Sequence, residues 1–377
     1  DNLLRGFDDA TQTTQTLAVG RVFNSWYDDQ AYGGSVQFDV RQGEGTRLSL
    51  AAHYRRDEHA EYQQTFGATG IIEPPQENVE DTYSIAAEAQ FALTSELTAL
   101  AGASYDWRDL RKAEEFGAVP GQPGNRIFSY PIRDANAWNA QGKLIWSPAE
   151  ETQVHASLSS RARFPTVFER FSSRFGGATS NPDLKAERAT NLEIGATKRL
   201  GPARLEASLF HSWLDDAIVA FPMVFNNTNV TQSRNVGKGK YYGVELAATV
   251  QASDTLSLGA NYTWTRRDFD DPSKPTLEAT GVPTHKAFMW ADWSPIEGLH
   301  VLPNADVASD RWTVNTAGTL YYRTGSYVLA NLTVNYELSD GIEIGVGARN
   351  LFDEYYLLTD GFPEQGRSFF ATARARF

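Results

Sequence analysis

The sequence predicts an antiparallel transmembrane β-barrel, and three observations predict it. Segments of roughly ten residues alternate apolar and polar side chains with a period of two, so each ribbon has one greasy face and one wet face. Short turns and long polar stretches join these segments alternately. A sandwich or propeller has turns of similar length at both ends, whereas an outer-membrane wall has short periplasmic turns and long extracellular loops. Trp107, Trp146, Trp213, Trp264, Trp293 and Tyr336 recur near segment ends, where aromatic girdles meet the membrane boundary.

Composition narrows the alternatives. Hydrophobic residues make up 41% of the 377 and contain no apolar run long enough for a membrane-spanning helix. A membrane barrel keeps such a low average, because half of each strand faces water. The net charge of −13 argues against a nucleic-acid surface, and the absence of cysteine removes disulfides and thiolate metal sites.

Taken in order, Thr14 to Trp26 reads as a strand carrying Leu17, Val19 and Phe23, followed by a short acidic loop at Asp28 and Asp29. Ser35–Val40 and Leu48–Tyr54 form a hairpin, and the stretch from Asp57 to Asp81 reads as a long loop. Thr82–Phe91 turns into Leu97–Trp107, and a second long loop runs from Asp109 to Ala135. Trp138–Trp146 pairs with Thr152–Ala162. After a third long loop come Leu192–Leu200 and Leu205–Trp213, and after a fourth Tyr242–Val250 and Leu256–Trp264. Ala287–Trp293, Leu299–Val307, Val328–Tyr336 and Ile342–Asn350 precede the closing strand. There Phe369, Ala371, Ala373, Ala375 and Phe377 share one face, while Ser368, Phe370, Thr372, Arg374 and Arg376 share the other. The total is about sixteen strands, and closure removes the edges so long a sheet exposes.

Five segments go beyond periodicity: RARFPTVFERFSSRFGG, NPDLKAERATNLEIG, NVGKGKYYGVEL, NLFDEYY and DGFPEQGRSFF. In this order and spacing the set resembles the C-terminal barrel of TonB-dependent outer-membrane receptors. The resemblance covers most of residues 1–377 and is strongest from Arg161 to Phe377. It implies a barrel enclosing a plug, placed in the outer membrane of a Gram-negative bacterium among its lipids. It further implies uptake of a scarce nutrient, first a ferric siderophore or other iron complex, with haem and cobalamin behind. TonB with ExbB and ExbD would supply the energy, and the terminal Phe377 resembles the signal read by the barrel-insertion machinery. The expected protein is a monomer with no cofactor, no catalytic residues and no nucleic-acid partner.

The sequence departs from the family pattern. Family barrels have about twenty-two strands, no plug is recognisable in residues 1–16, and Ala186 and Gln365 stand where proline is commoner. The reading preferred is a barrel portion lacking plug and leading strands. The alternative is a plugless, porin-like diffusion channel.

Candidate ligand contacts are loop residues combining cations with rings: Arg163, Phe164, Phe168, Arg170, Phe171, Arg174 and Phe175, with Tyr355 and Tyr356 as a second group. Packing of the loop against the wall explains the first group at least as well. Asn181, Pro182, Lys185, Glu187, Asn350, Asp353, Gly366, Arg367 and Phe377 read as folding and assembly positions of the family motifs. Asp268, Asp270 and Asp271 have hard-oxygen spacing that calcium could use, although a solvated acidic loop is the commoner cause.

Overall fold

A computed structural model describes residues 2–7, 11–15, 22–43, 45–65, 72–119, 121–171, 178–225, 228–272, 275–315 and 320–376. The chain runs up and down through β1 (Asn2–Arg5), β2 (Phe23–Gln42), β3 (Thr46–Thr65), β4 (Gln76–Ala92) and β5 (Leu97–Ala118). After β6 (Asn125–Ser129) come β7 (Ala135–Ala149), β8 (Thr152–Arg163), the helical turn α1 (Val167–Phe171), β9 (Glu187–Leu200) and β10 (Ala203–Phe225). The wall continues with β11 (Thr228–Ser253), β12 (Leu256–Asp270), β13 (His285–Trp293) and β14 (Leu299–Ala308). A small hairpin, β15 (Trp312–Val314) with β16 (Tyr321–Arg323), precedes β17 (Tyr327–Ser339) and β18 (Ile342–Arg349). A second, β19 (Leu357–Thr359) with β20 (Phe362–Pro363), precedes β21 (Ser368–Ala375).

Seventeen strands make one antiparallel sheet, with β6 extending only the outer end of β5. The other sixteen form a meander, matching the strand count read from the sequence. Among the described residues no ladder joins β21 to β1 or β2.

One face of the wall is apolar and uncovered. Val36, Phe38 and Val40 are 55%, 64% and 61% exposed. Rings in the same belt touch across strands, with Tyr54 5.2 Å from Tyr83, Tyr83 5.3 Å from Trp107 and Tyr105 4.7 Å from Trp138. Large apolar side chains left this bare on a whole sheet face mark a lipid contact rather than a protein core. Trp138 and Trp146, both on the outer face of β7, lie roughly 26 Å apart along the strand, comparable to the apolar band of such walls.

The inner face is polar and closely fitted. A β-carbon at Gly259 would collide with the Trp290 ring, and one at Gly347 with Phe370, so glycine lets each ring lie flat on the neighbouring strand.

The strands outrun their sequence pattern. β3 and β4 fill most of the expected loop from Asp57 to Asp81, β5 and β6 much of Asp109 to Ala135, and β10 and β11 stay paired out to Phe225 and Thr228. Asp28 and Asp29 lie inside β2, not in a loop. Trp107, Trp213 and Trp264 therefore sit within strands and mark the membrane border rather than the strand end. Beyond that border both faces are wet, so alternation fades while the hydrogen-bond ladder continues. The expected strand from Thr14 to Trp26 is met from Phe23 onward, in β2, whereas Thr14 and Gln15 are coil, the Gln15 amide donating to Gly6 O at 2.6 Å and Phe23 O at 3.1 Å. Leu17 and Val19, which suggested it, lie outside the described residues, as does Phe377.

Candidate functional site

The segment after β8 folds back on the inner wall. Thr166 caps α1 through a reciprocal pair: Glu169 N donates to Thr166 Oγ1 at 3.1 Å, and Thr166 N donates to Glu169 Oε2 at 2.8 Å. This capping box turns the chain so that Val167 and Phe171 face the wall. They pack with Leu110 and Ala113 of β5, and Tyr130 covers them.

A charged cluster lies beside this apolar contact. Arg108 Nη1 donates to Pro165 O at 2.6 Å, its guanidinium stacks on Phe164 at 5.1 Å, and its Nε lies 3.6 Å from Glu80 Oε2. Arg170 Nη1 approaches the same oxygen at 3.9 Å. All three side chains are at least nine-tenths buried. Burial, with the neighbouring Arg108, pulls the Arg170 guanidinium down to about 10, and Glu80 only partly offsets it. For Glu169 burial would raise the pKa, yet the Arg163 guanidinium and Thr166 hold it below the ordinary carboxylate range.

Most of the sequence-selected ligand candidates therefore have other partners here. Arg163 binds Glu169 at 2.8 Å and Glu187 at 2.6 Å, and Arg170 and Phe171 lie on the buried side of α1. Phe168 is 39% exposed and meets His59 edge-on at 6.4 Å. It borders a cleft of about 550 Å³ that Asp29, Arg55, Asp57, His59 and Glu80 line from β2–β4. His59 Nδ1 lies 2.7 Å from Asp29 and its Nε2 3.4 Å from Glu61. Arg174 and Phe175 lie outside the described residues. Tyr355 is exposed, whereas Tyr356 packs on Tyr327 at 4.7 Å.

The motif residues act as latches. Asn181 N donates to Arg170 O at 2.7 Å and its amide to Ser233 O at 2.8 Å, while the Pro182 carbonyl lies 3.5 Å from Arg170 Nη2. Asn235 accepts from Lys185 N at 2.8 Å and donates to Lys185 O at 3.0 Å. Glu187 also accepts from Ile218 N at 2.8 Å. Near the end of the chain Asn350 and Asp353 have φ of 51° and 59°, a left-handed bend that these two residue types tolerate. Asn350 brackets the backbone of Glu354 at 2.8 and 2.9 Å. Asp353 accepts from Arg367 N at 2.7 Å, and a β-carbon on Gly366 would sit 2.8 Å from that carboxylate.

Asp268 and Asp270 lie at the outer end of β12, with Asp271 just beyond it. Asp268 lies 3.7 Å from Arg266, and no metal-holding group of three appears among the described residues. Glu80, Arg108, His59 and Asn235 carry no signal in the sequence beyond their parity on strands.

A family model described as TonB dependent receptor-like, beta-barrel matches residues 2–351. The chain belongs to that family. It is an outer-membrane β-barrel chain of the Gram-negative type. It is 23% identical over 248 residues to a vitamin B12 transporter BtuB of Vibrio vulnificus, covering 64% of this chain and 37% of that protein. It is 25% identical over 210 residues to an iron-regulated outer membrane virulence protein of Vibrio cholerae, covering 52% and 32%. Among solved structures, the copper transporter OprC superposes with a TM-score of 0.79 at 18% identity, covering 94% of this chain and 58% of that one. The FrpB iron transporter from Neisseria meningitidis superposes with a TM-score of 0.70 at 18% identity, covering 94% and 56%. The chain thus spans about a third of the length of the curated relatives it matches and under three-fifths of the solved ones.

Proposed function

We propose that this chain forms the ligand-facing and translocating wall of a TonB-energised receptor that imports a scarce nutrient, with iron complexes as the first class. The observation that carries the reading is the clasped α1 segment, which holds Phe168 over a lumen-side cleft while its buried neighbours keep the segment still. Phe168, and more weakly Tyr355, are the proposed ligand contacts, with Arg163, Phe164, Arg170 and Phe171 as their support. Relatives named for iron, cobalamin and copper support the class of cargo. Work is done by capture and passage, without catalysis. Coupling to TonB, ExbB and ExbD belongs to the whole receptor, and sixteen strands against about twenty-two leave part of the circumference to other strands.

Deletion of the gene, followed by growth on ferric siderophores, haem, cobalamin or copper chelates as sole sources, tests the reading. A defect on one iron complex is expected, and Phe168→Ala should reproduce part of it. Normal growth on every iron complex would redirect the assignment to another cargo. Steady open-pore conductance from the whole receptor in planar bilayers would favour a diffusion channel instead.

A further inference from the structure

His59 lies on β3 beyond Tyr54, in the extension above the apolar belt, and lines the cleft under Phe168. Four elements pack against its ring. From β2, directly across the ladder, Asp29 approaches Nδ1 at 2.7 Å, and the Tyr27 ring stacks at 6.0 Å. Along β3, Glu61 approaches Nε2 at 3.4 Å, while Asp57 is held by Arg55 at 2.6 Å and Glu58 is turned to Tyr32 at 3.5 Å. From β4 the residue directly across is the uncharged Asn78, and Glu80, the next on that face, is turned to Arg108 and Arg170. Phe168 of α1 meets the ring edge-on. Glu73, in the segment before β4, acts on Glu61.

Both ring nitrogens therefore face carboxylates. A neutral imidazole has one N–H and serves only one of them, whereas the imidazolium donates to both. The two acids differ in what can replace the ring, since the Glu61 side chain is 2% exposed and that of Asp29 59%. Water reaches Asp29 and not Glu61, so on loss of the proton the remaining N–H stays with Glu61 and Asp29 lets go. We propose that His59 is a proton-operated strap: protonated, it ties β2 to β3 in the cleft wall under Phe168, and deprotonated, it releases β2. Burial alone would lower the imidazole pKa, yet Glu61 and Asp29 raise it above the ordinary histidine value. A raised value in the folded state makes the strap complete below the ordinary histidine range and lost as pH rises through the folded value. The consequence for uptake, a cleft that is firmest in mildly acid surroundings, rests on the reading of Phe168 as a ligand contact. The strap itself does not, and its test needs no ligand.

The test uses the whole receptor in detergent micelles, with hydrogen exchange read by mass spectrometry as a function of pH. Exchange at the carbon between the ring nitrogens of His59 should titrate above the ordinary histidine value. Amide protection over residues 27–31 of β2, corrected for the intrinsic rate, should fall at least about threefold as pH rises through that same midpoint, while residues 35–40 in the belt stay level. His59→Gln should abolish the step. Asp29→Asn, at the exposed partner, should move the midpoint to lower pH, because the ring loses one of its two countercharges. Glu73→Gln should leave a step at residues 27–31, which separates the strap from the carboxyl beyond Glu61. A level profile at residues 27–31 in the unaltered receptor, a step that survives His59→Gln, or a His59 midpoint at or below the ordinary value would each overturn the proposal. If His59→Gln does not fold, Asp29→Asn decides, and a midpoint that stays put overturns it.

Discussion

The lower and upper parts of a single strand are stabilised by different surroundings. On β10, Leu205, Leu209 and Trp213 point to lipid while Glu206, Ser208 and Ser212 point to the lumen, and no protein layer covers the apolar side. Past Trp213 the same strand keeps its register with β11, yet Leu214 and Ala217 turn into a small core with Val236 and Leu277. The belt is held by its solvent and the extension by its own contacts. Alternation in a sequence thus reports an asymmetry between two solvents, and the ladder of hydrogen bonds needs no such asymmetry.

That contrast can be broken from either side. The largest effect is expected in the extension, at Glu80, whose removal leaves Arg108 and Arg170 buried without the carboxylate they share. Glu80→Ala should cost about 3–5 kcal/mol of local stability, read as faster amide exchange across 167–171 with belt amides unchanged. Equal loosening of the belt would show that the two regions are not independent. In the belt, Leu209→Arg places a cation midway between Leu205 and Trp213 and should cost about 2–4 kcal/mol in lipid. Ser208→Arg, on the lumen face, should cost far less in the same vesicle refolding assay. Matching costs would reverse the facing of β10.

The same contrast explains what the sequence revealed. Strands such as Leu256–Trp264 and Ile342–Asn350 were readable because lipid and water impose opposite demands on successive residues. Glu61, Gln63, Gln76 and Asn78 take one face of the ladder and Gln64 and Glu77 the other, and polar side chains on both faces look like a loop. At the site, Arg170 and Phe171 were selected as a cation and a ring, and only the fold shows them turned inward. The TVFE run was the available hint, since a capping box followed by Phe171 four residues after Val167 marks an amphipathic turn. Glu80 and Arg108 had no such hint. Their meeting depends on the register of β4 against β5 and on a bulge at Val79 and Glu80.

Smaller tests sharpen how the extension is held. Asn235 joins the NPDLKAER loop to β11 through both backbone groups of Lys185 and also donates to Asp216 O at 2.8 Å. Asn235→Ala should cost about 1–2 kcal/mol, seen as earlier proteolysis between 178 and 187. Unchanged proteolysis would mean that Asn181 alone latches the loop.

The smallest expected effect is a pH dependence at Glu73. Its backbone N donates to Gln63 O at 2.8 Å, and burial together with the Glu61 carboxylate pushes its own carboxyl up to about 6. A raised carboxyl pKa in the folded state means that the folded form holds the proton more tightly than the open form. Its contribution is therefore complete below the ordinary glutamate value and is lost as pH rises through about 6. The protection of the Glu73 amide, corrected for the intrinsic exchange rate, should fall across that interval while belt amides on β3 stay level. Glu73→Gln should make the profile flat, because the amide carries no proton to lose. A profile already flat in the unaltered receptor would place the carboxyl in water and detach it from Glu61.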